Sequence, residues 1–272
     1  MSYVTSPVAS AKKRDVACGP EQAARTGDNA VRSVAVGIFC KTPAAGFSKT
    51  RLSPPLRPEE CGALSACFIS DLASTIHGLS SDGTVMPYAV YTPTGTETAL
   101  RRLLPAGFRL LLQGEGEFGT RLFKAIADLL GQGHAGAILV NADSPTLPAP
   151  ILRAAVEAVC RDDAVVLGPA IDGGYTLIGL SRPHAHVFAD IPWSTSEVHR
   201  LTAVRAAEIG LAVVNVPCWY DVDDGTTLRL LEDELRGEQL AFAQEGLRGA
   251  EAPATRRFLE QRRVPLREGA SW

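Results

Sequence analysis

Six apolar runs closed by turn residues recur along the chain, at 33–40 (SVAVGIFC), 86–92 (MPYAVYT), 108–112 (FRLLL), 136–142 (GAILVNA), 164–170 (AVVLGPA) and 211–217 (LAVVNVP). Their Val, Ile and Leu content is nearly continuous, as a strand buried on both faces requires. Most are separated by segments with three- and four-residue apolar steps. In 58–79 the residues Cys61, Leu64, Phe68, Leu72, Ile76 and Leu79 make one stripe, which predicts an amphipathic helix. Similar patterns fall at 96–104, 119–130, 148–160 and 195–209, the last opening on Ser194-Thr-Ser-Glu197 with capping-box spacing. Strands alternating with helices predict an α/β protein with a mostly parallel central sheet flanked by helices. Ligands of such sheets bind beyond the carboxyl ends of the strands, so the loops that follow strands are where function is expected.

With 272 residues the chain has material for one large α/β domain or two small ones. Residues 1–32, rich in Ala, Ser, Gly and charge without a period, read as a flexible N-terminal extension. Residues 33–235 carry the alternating pattern, and 236–272 read as a helical or charged C-terminal tail. A net charge of −3 lacks the basic signature of a nucleic-acid binder, so no nucleic-acid partner is expected and any anion site must be local. No run approaches the roughly 18 apolar residues of a membrane span, and the first residues lack a secretory apolar core. The six cysteines form no C-x-x-C pair and read as small apolar residues of a reducing compartment, which points to the cytoplasm.

Four strand-following loops hold the chemistry. The first, CKTPAAGFSKTR at 40–51, has three cations and no acid. Gly46 allows close backbone approach, and Lys49 and Arg51 can grip phosphate; a solvated charged loop is the plain alternative. The second ends a strand on Asp143, in A-D-S-P-T-L. Its carboxylate can hold a divalent cation bridging two phosphates, Mg2+ or Mn2+, or can simply cap the turn. The third, Asp172-Gly173-Gly174-Tyr175, reads either as a hairpin turn or as a close-approach site with a flat ring. The fourth, Asp221-Val-Asp223-Asp224, places Asp221 and Asp223 on one side if extended, or caps the next helix. Two weaker segments are Gln113–Arg121, where Arg121 reaches a ligand from the first turn of the next helix or, the favoured reading, lies on the surface, and Ile191–Thr195, where Trp193 faces an acceptor or packs in the core. The histidines have no ligand spacing.

The order of these motifs resembles the nucleotide-diphospho-sugar transferase superfamily with the GT-A fold, a single Rossmann-like domain, over residues 33–233. K-T-P-x-x-G-x-x-K-T-R-L at 41–52, A-D-S-P-T-L at 142–147, G-P-A-x-D-G-G-Y-x-L-I-G at 168–179, W-S-T at 193–195 and D-V-D at 221–223 carry the likeness. Within that superfamily the chain is similar to the bacterial arsenosugar-biosynthesis-type glycosyltransferases, themselves similar to 2-phospholactate and molybdenum-cofactor guanylyltransferases. The resemblance implies that Lys49 and Arg51 bind donor phosphates with Gly46 allowing approach, and that Asp143 and Asp223 hold the cation. It implies that Asp172, Gly173 and Gly174 border the donor sugar or the acceptor; from the residues themselves, Tyr175 and Trp193 are further candidates for that pocket, and Asp172 is the candidate catalytic base for an acceptor hydroxyl. Two departures stand out: Asn141-Ala-Asp143 replaces the usual D-x-D, and Glu117-Phe118-Gly119 replaces Asp-Leu-Gly.

The expected function is transfer of a sugar from a nucleotide-activated donor to a small acceptor, assisted by a divalent cation. Nucleotidyl transfer to a phosphorylated small molecule, with release of pyrophosphate, is the alternative. A nucleotide-binding protein without catalysis is a third reading.

Overall fold

The computed structural model describes residues 33–46 and 48–263; the N-terminal extension expected over 1–32 lies outside them. The chain runs β1 (Val34–Lys41), α1 (Pro58–His77), β2 (Val85–Thr92), α2 (Glu97–Arg101), β3 (Arg109–Leu112), α3 (Phe118–Gly131), β4 (Gly136–Asn141), α4 (Ala149–Arg161) and β5 (Ala164–Pro169). It continues through β6 (Tyr175–Leu180), α5 (Val198–Glu208), β7 (Ala212–Asn215), α6 (Gly225–Leu235) and α7 (Pro253–Arg263). The six expected strands are present, within a few residues of their expected ends. The strand that the list of apolar runs omitted is β6: Tyr-Thr-Leu-Ile-Gly-Leu directly follows D-G-G and pairs antiparallel with both β4 and β5.

The seven strands form one sheet in the order β3-β2-β1-β4-β6-β5-β7. All run parallel except β6. From β1 the chain winds outward through β2 and β3, then returns to lay β4 on the other side of β1. That reversal makes the crevice between the carboxyl ends of β1 and β4 the switch point where open α/β sheets take ligands.

Alternate residues of each strand serve opposite layers. Val34, Val36, Ile38 and Cys40 pack with α1, α4, α6 and α7, whereas Ala35, Ala137, Leu139 and Leu167 pack with α3 and α5. Burial on both faces explains why the strands read as continuous apolar runs. Helix α5 begins at Val198 after Glu197, with no capping side chain, so the expected capping box is not formed. Ser194 has φ +63° and Thr195 turns its hydroxyl to the Pro192 carbonyl, which takes both out of cap geometry. Among the described cysteines none is disulfide-bonded. Cys40 and Cys61 are buried as expected, but Cys160 is exposed and Cys67 and Cys218 only half-buried. No helix among the described residues is long and apolar enough to cross a membrane.

Helix α7 packs on α1 through a buried carboxylate. Asp71, 3% exposed, accepts hydrogen bonds from Ala254 N (2.9 Å) and Thr255 N (2.8 Å), capping α7 with a residue from another helix. Asp71→Ala leaves two buried N–H groups unsatisfied and is expected to cost about 1–2 kcal/mol, read as a lower urea midpoint with an unchanged slope. Asp71→Asn, which keeps one acceptor, should lose less.

Candidate active site

The site assembles from the loops after β1, β4, β5 and β7. The loop after β1 bends through Gly46, whose φ of +73° favours glycine. Apart from its chain neighbours, no atom of the described residues lies within 4 Å of where its Cβ would stand. Lys49 is itself left-handed, with φ 52° and ψ 38°, and its ammonium is almost buried, the side chain 6% exposed. It bonds to Asp143 Oδ1 at 2.7 Å, Asp223 Oδ1 at 2.8 Å and the Val222 carbonyl at 2.7 Å. These three acceptors use all three of its protons. Burial pulls the ammonium's pKa down, and the Asp143 and then Asp223 carboxylates outweigh it, so the pKa ends above its ordinary value. Arg51 is exposed and has no charged or hydrogen-bonding partner among the described residues, leaving its fork of donors for a ligand.

Asn141 explains why Asp143 is available. The Asn141 Oδ1 accepts from Ser144 Oγ (2.9 Å) and Asp143 N (3.3 Å), so it closes the turn that Asp143 would otherwise cap. The residue standing where D-x-D would place a carboxylate therefore does structural work. A backbone bond from Val222 N to the Asp143 carbonyl (2.9 Å) fastens this loop to the fourth one. Behind that junction Tyr220 Oη donates to Glu234 Oε2 at 2.5 Å, and Trp219 Nε1 donates to Thr146 Oγ1 at 3.3 Å.

The three acids of the fourth loop separate by role. Asp224 caps α6, accepting from Thr226 N and Thr227 N at 2.8 Å each, so capping is the fate of this one. Asp223 goes to Lys49. Asp221, which was not among the expected site residues, is half-buried on the wall of the same cleft. Burial first, then the charges of Asp223 and Asp172, push its carboxyl from an ordinary 3.8 to about 7. The signal was its shared side with Asp223 in D-V-D. The folded protein thus holds a proton that the unfolded chain releases near pH 4, and the stability tied to it is lost as pH rises from about 4 through 7. In metal-free buffer, Asp221→Asn should stabilise the protein at pH 8 by about 2 kcal/mol, discounted for partial solvent screening. At pH 5 the variant should differ little from wild type, as calorimetric midpoints across pH would show.

The third loop is both things the sequence left open. It is a hairpin turn between β5 and β6, and it reaches the cleft. Asp172 Oδ1 accepts from Gly174 N at 2.8 Å. Gly173 has φ +90°, and a β-carbon there would lie 2.2 Å from the Ser196 carbonyl oxygen. The D-G-G turn is therefore seated on the 194–196 loop that follows Trp193.

These loops surround two adjoining chambers. One, of about 330 Å³, is polar and basic, lined by Lys41, Ser48, Lys49, Thr50, Arg51 and Ser65. The other, of about 430 Å³, has Phe39, Phe118, Tyr175 and Trp193 on its walls, with Asp172 and Asp221. Arg51, Asp143, Asp223 and Ser194 line both. Trp193 packs edge-to-face on Phe118 (centroids 5.0 Å) and Tyr175 (6.5 Å). Gly119 makes room for it, because a β-carbon there would stand 2.9 Å from the indole ring. The Tyr175 hydroxyl is fully buried, and burial raises its pKa, so its ring is what faces the chamber. Arg121 is not the surface residue the sequence suggested. Its guanidinium lies over Phe118 (5.7 Å) and Phe39 (6.0 Å) and donates to Gln113 Oε1 at 2.6 Å. Gln113, 2% exposed, in turn donates to the carbonyls of Cys40 and Val90, tying the ends of β1 and β2 together.

Asp143 and Asp223 meet on the Lys49 ammonium through their Oδ1 atoms, which leaves each a second carboxylate oxygen. Among the described residues no group of three or more His, Cys, Asp or Glu side chains is arranged to hold a metal. Mg2+ bound through one or two carboxylates, with waters and substrate phosphates as its other ligands, suits a set of this size.

With this geometry in view, comparison with known proteins is informative. The family model described as "Uncharacterized protein conserved in bacteria (DUF2064)" matches residues 75–195. A solved structure from Desulfovibrio desulfuricans G20, described as a candidate nucleotide-diphospho-sugar transferase, superposes with TM-score 0.71 at 22% identity. The match covers 84% of this chain and 94% of that one. A cytidylyltransferase from Leptospira borgpetersenii serovar Hardjo-bovis superposes with TM-score 0.50 at 10% identity, over 89% of this chain and 99% of that one. The fold is that of nucleotidyl and nucleotide-sugar transferases. No curated protein matches the chain by sequence.

Proposed function

We propose that the protein is a metal-assisted transferase that moves a sugar from a nucleotide-activated donor to a small acceptor. The observation that carries this reading is the meeting of Asp143 and Asp223 on the Lys49 ammonium, at the boundary between a basic chamber and an aromatic one. A divalent cation held by Asp143 and Asp223 would neutralise the diphosphate as it leaves. Lys49 fixes the spacing of the two carboxylates and adds positive charge beneath the phosphates. Arg51 grips the phosphate oxygens from the rim. Such fixed charges help most where charge develops in the transition state. Asp172, with Oδ1 held by Gly174 N, takes the acceptor's hydroxyl proton. The acceptor oxygen bonds to the anomeric carbon, the bond from that carbon to the diphosphate oxygen breaks, and a nucleoside diphosphate departs.

The test is a thermal-shift panel of nucleoside di- and triphosphates and nucleotide sugars, with and without Mg2+ or Mn2+, followed by product analysis with the stabilising donors. Metal-dependent stabilisation and release of a nucleoside diphosphate are expected. Release of pyrophosphate instead would make the chain a nucleotidyltransferase. Absence of stabilisation by any nucleotide would overturn the reading altogether.

A further inference from the structure

The two chambers differ in what they can satisfy. The basic chamber adds Lys41, Lys49 and the hydroxyls of Ser48, Thr50 and Ser65 to the Arg51, Asp143, Asp223 and Ser194 that both chambers share, a balance of charge that suits phosphate. To those shared residues the aromatic chamber adds the carboxyl groups of Asp172 and Asp221 and no further Lys or Arg. Carboxyl oxygens offer hydrogen-bond acceptors, so a ligand there should bring donors, and a phosphate would add negative charge beside two more acids without a further cation. The opposite wall offers flat apolar rings: Phe118 is 40% exposed and Trp193 half-buried. The Trp193 position is fixed by Gly119 and by its ring contacts. Rings on one side and acceptors on the other match a molecule with an apolar C–H face and a belt of O–H donors. At about 430 Å³, the chamber is of ordinary size for a small-molecule site.

Resting on the transferase reading above, we infer that the aromatic chamber binds an uncharged, polyhydroxylated acceptor, a sugar or cyclitol ring, and that phosphate is confined to the basic chamber. Trp193 stacks on the ring's C–H face with Phe118 angled beside it, and Asp172 and Asp221 hydrogen-bond its hydroxyls. The nucleophile is then an alcohol oxygen, not a phosphate oxygen.

Saturation-transfer NMR on the full chain tests this with hexoses and inositol, their monophosphates, and the four common nucleosides, each with and without pyrophosphate. At least one uncharged polyol is expected to receive saturation at its ring C–H protons and to be undisturbed by pyrophosphate. Trp193→Ala and Asp172→Asn should each weaken that binding at least tenfold, while Trp193→Phe retains most of it. Thermal midpoints of the three variants establish that they fold. A monophosphate that binds tenfold more tightly than its parent sugar, and loses that affinity in Trp193→Ala, overturns the inference. Nucleosides taking the place of polyols, or no polyol signal at all, does the same. Nucleotide stabilisation without a polyol signal sinks this inference and leaves the transferase reading standing. A polyol signal without nucleotide stabilisation does the reverse.

Discussion

Asp143→Asn is expected to lower the transfer rate by two to three decades, about 3–4 kcal/mol, with the fold intact. The substitution removes one of the two carboxylates proposed to hold the cation, at nearly constant volume. Lys49 keeps its bonds to Asp223 Oδ1 and the Val222 carbonyl, so the loop after β1 stays anchored. The turn below depends on Asn141, and the Asp143 carboxylate is 38% exposed. An asparagine still offers Lys49 an acceptor, but the buried ammonium loses one of its two counter-charges, so stability should fall by about 1–3 kcal/mol, short of unfolding the protein. The decisive readout is the metal-dependent part of stabilisation by nucleoside diphosphates, which should vanish while the metal-independent part survives. If the metal-dependent part persisted in full, the assignment of the cation to Asp143 would be wrong and the fold assignment untouched.

Gly173→Ala should cost about 3 kcal/mol of stability and disable the site at the same time. Its β-carbon would lie 2.2 Å from the Ser196 carbonyl oxygen and 2.7 Å from the Ser196 Cα. Both are backbone atoms, which cannot swing aside as a side-chain end can. The φ of +90° adds strain for any residue with a side chain. Relief requires the D-G-G turn and the 194–196 loop to part, which carries Asp172 away from Trp193 across the aromatic chamber. Gly174→Ala is the control, because the atoms nearest its β-carbon belong to the Asp172 carboxylate, the closest at 3.1 Å, a side-chain end that can shift, and it should cost under about 1 kcal/mol. Urea unfolding of the pair separates them. Equal, small losses in both would show that the turn is not held by this contact.

Asp143, Lys49 and Asp223 were legible as separate candidates because each sits in a loop directly after an apolar run. That signal is local: a strand's periodicity and the turn residues that end it lie within ten residues of each other. What each candidate touches was not legible. Lys49 was expected on phosphate, and its ammonium is engaged by two carboxylates and a carbonyl. Asp221 passed over in favour of Asp223, and Arg121 stacked on two phenyl rings, share one cause. Neighbouring residues in one loop take different fates according to what packs against them. The capping box at 194–197 failed for a related reason, since a four-residue pattern cannot register that the Trp193 loop is held by Gly119 and the D-G-G turn.

By itself the sequence determined the alternation of strands and helices, the burial of the strands on both faces and the edge of the sheet where chemistry belongs. Those follow from hydrophobic periodicity, which each segment carries within itself. Only the tertiary structure decided that β6 reverses direction between β4 and β5, and that Asp143 and Asp223 share one ammonium. It alone decided that a basic chamber adjoins an aromatic one. The bond from Lys49 to Asp223 spans 174 residues, and nothing in either loop encodes the other, because the sheet between them sets their distance.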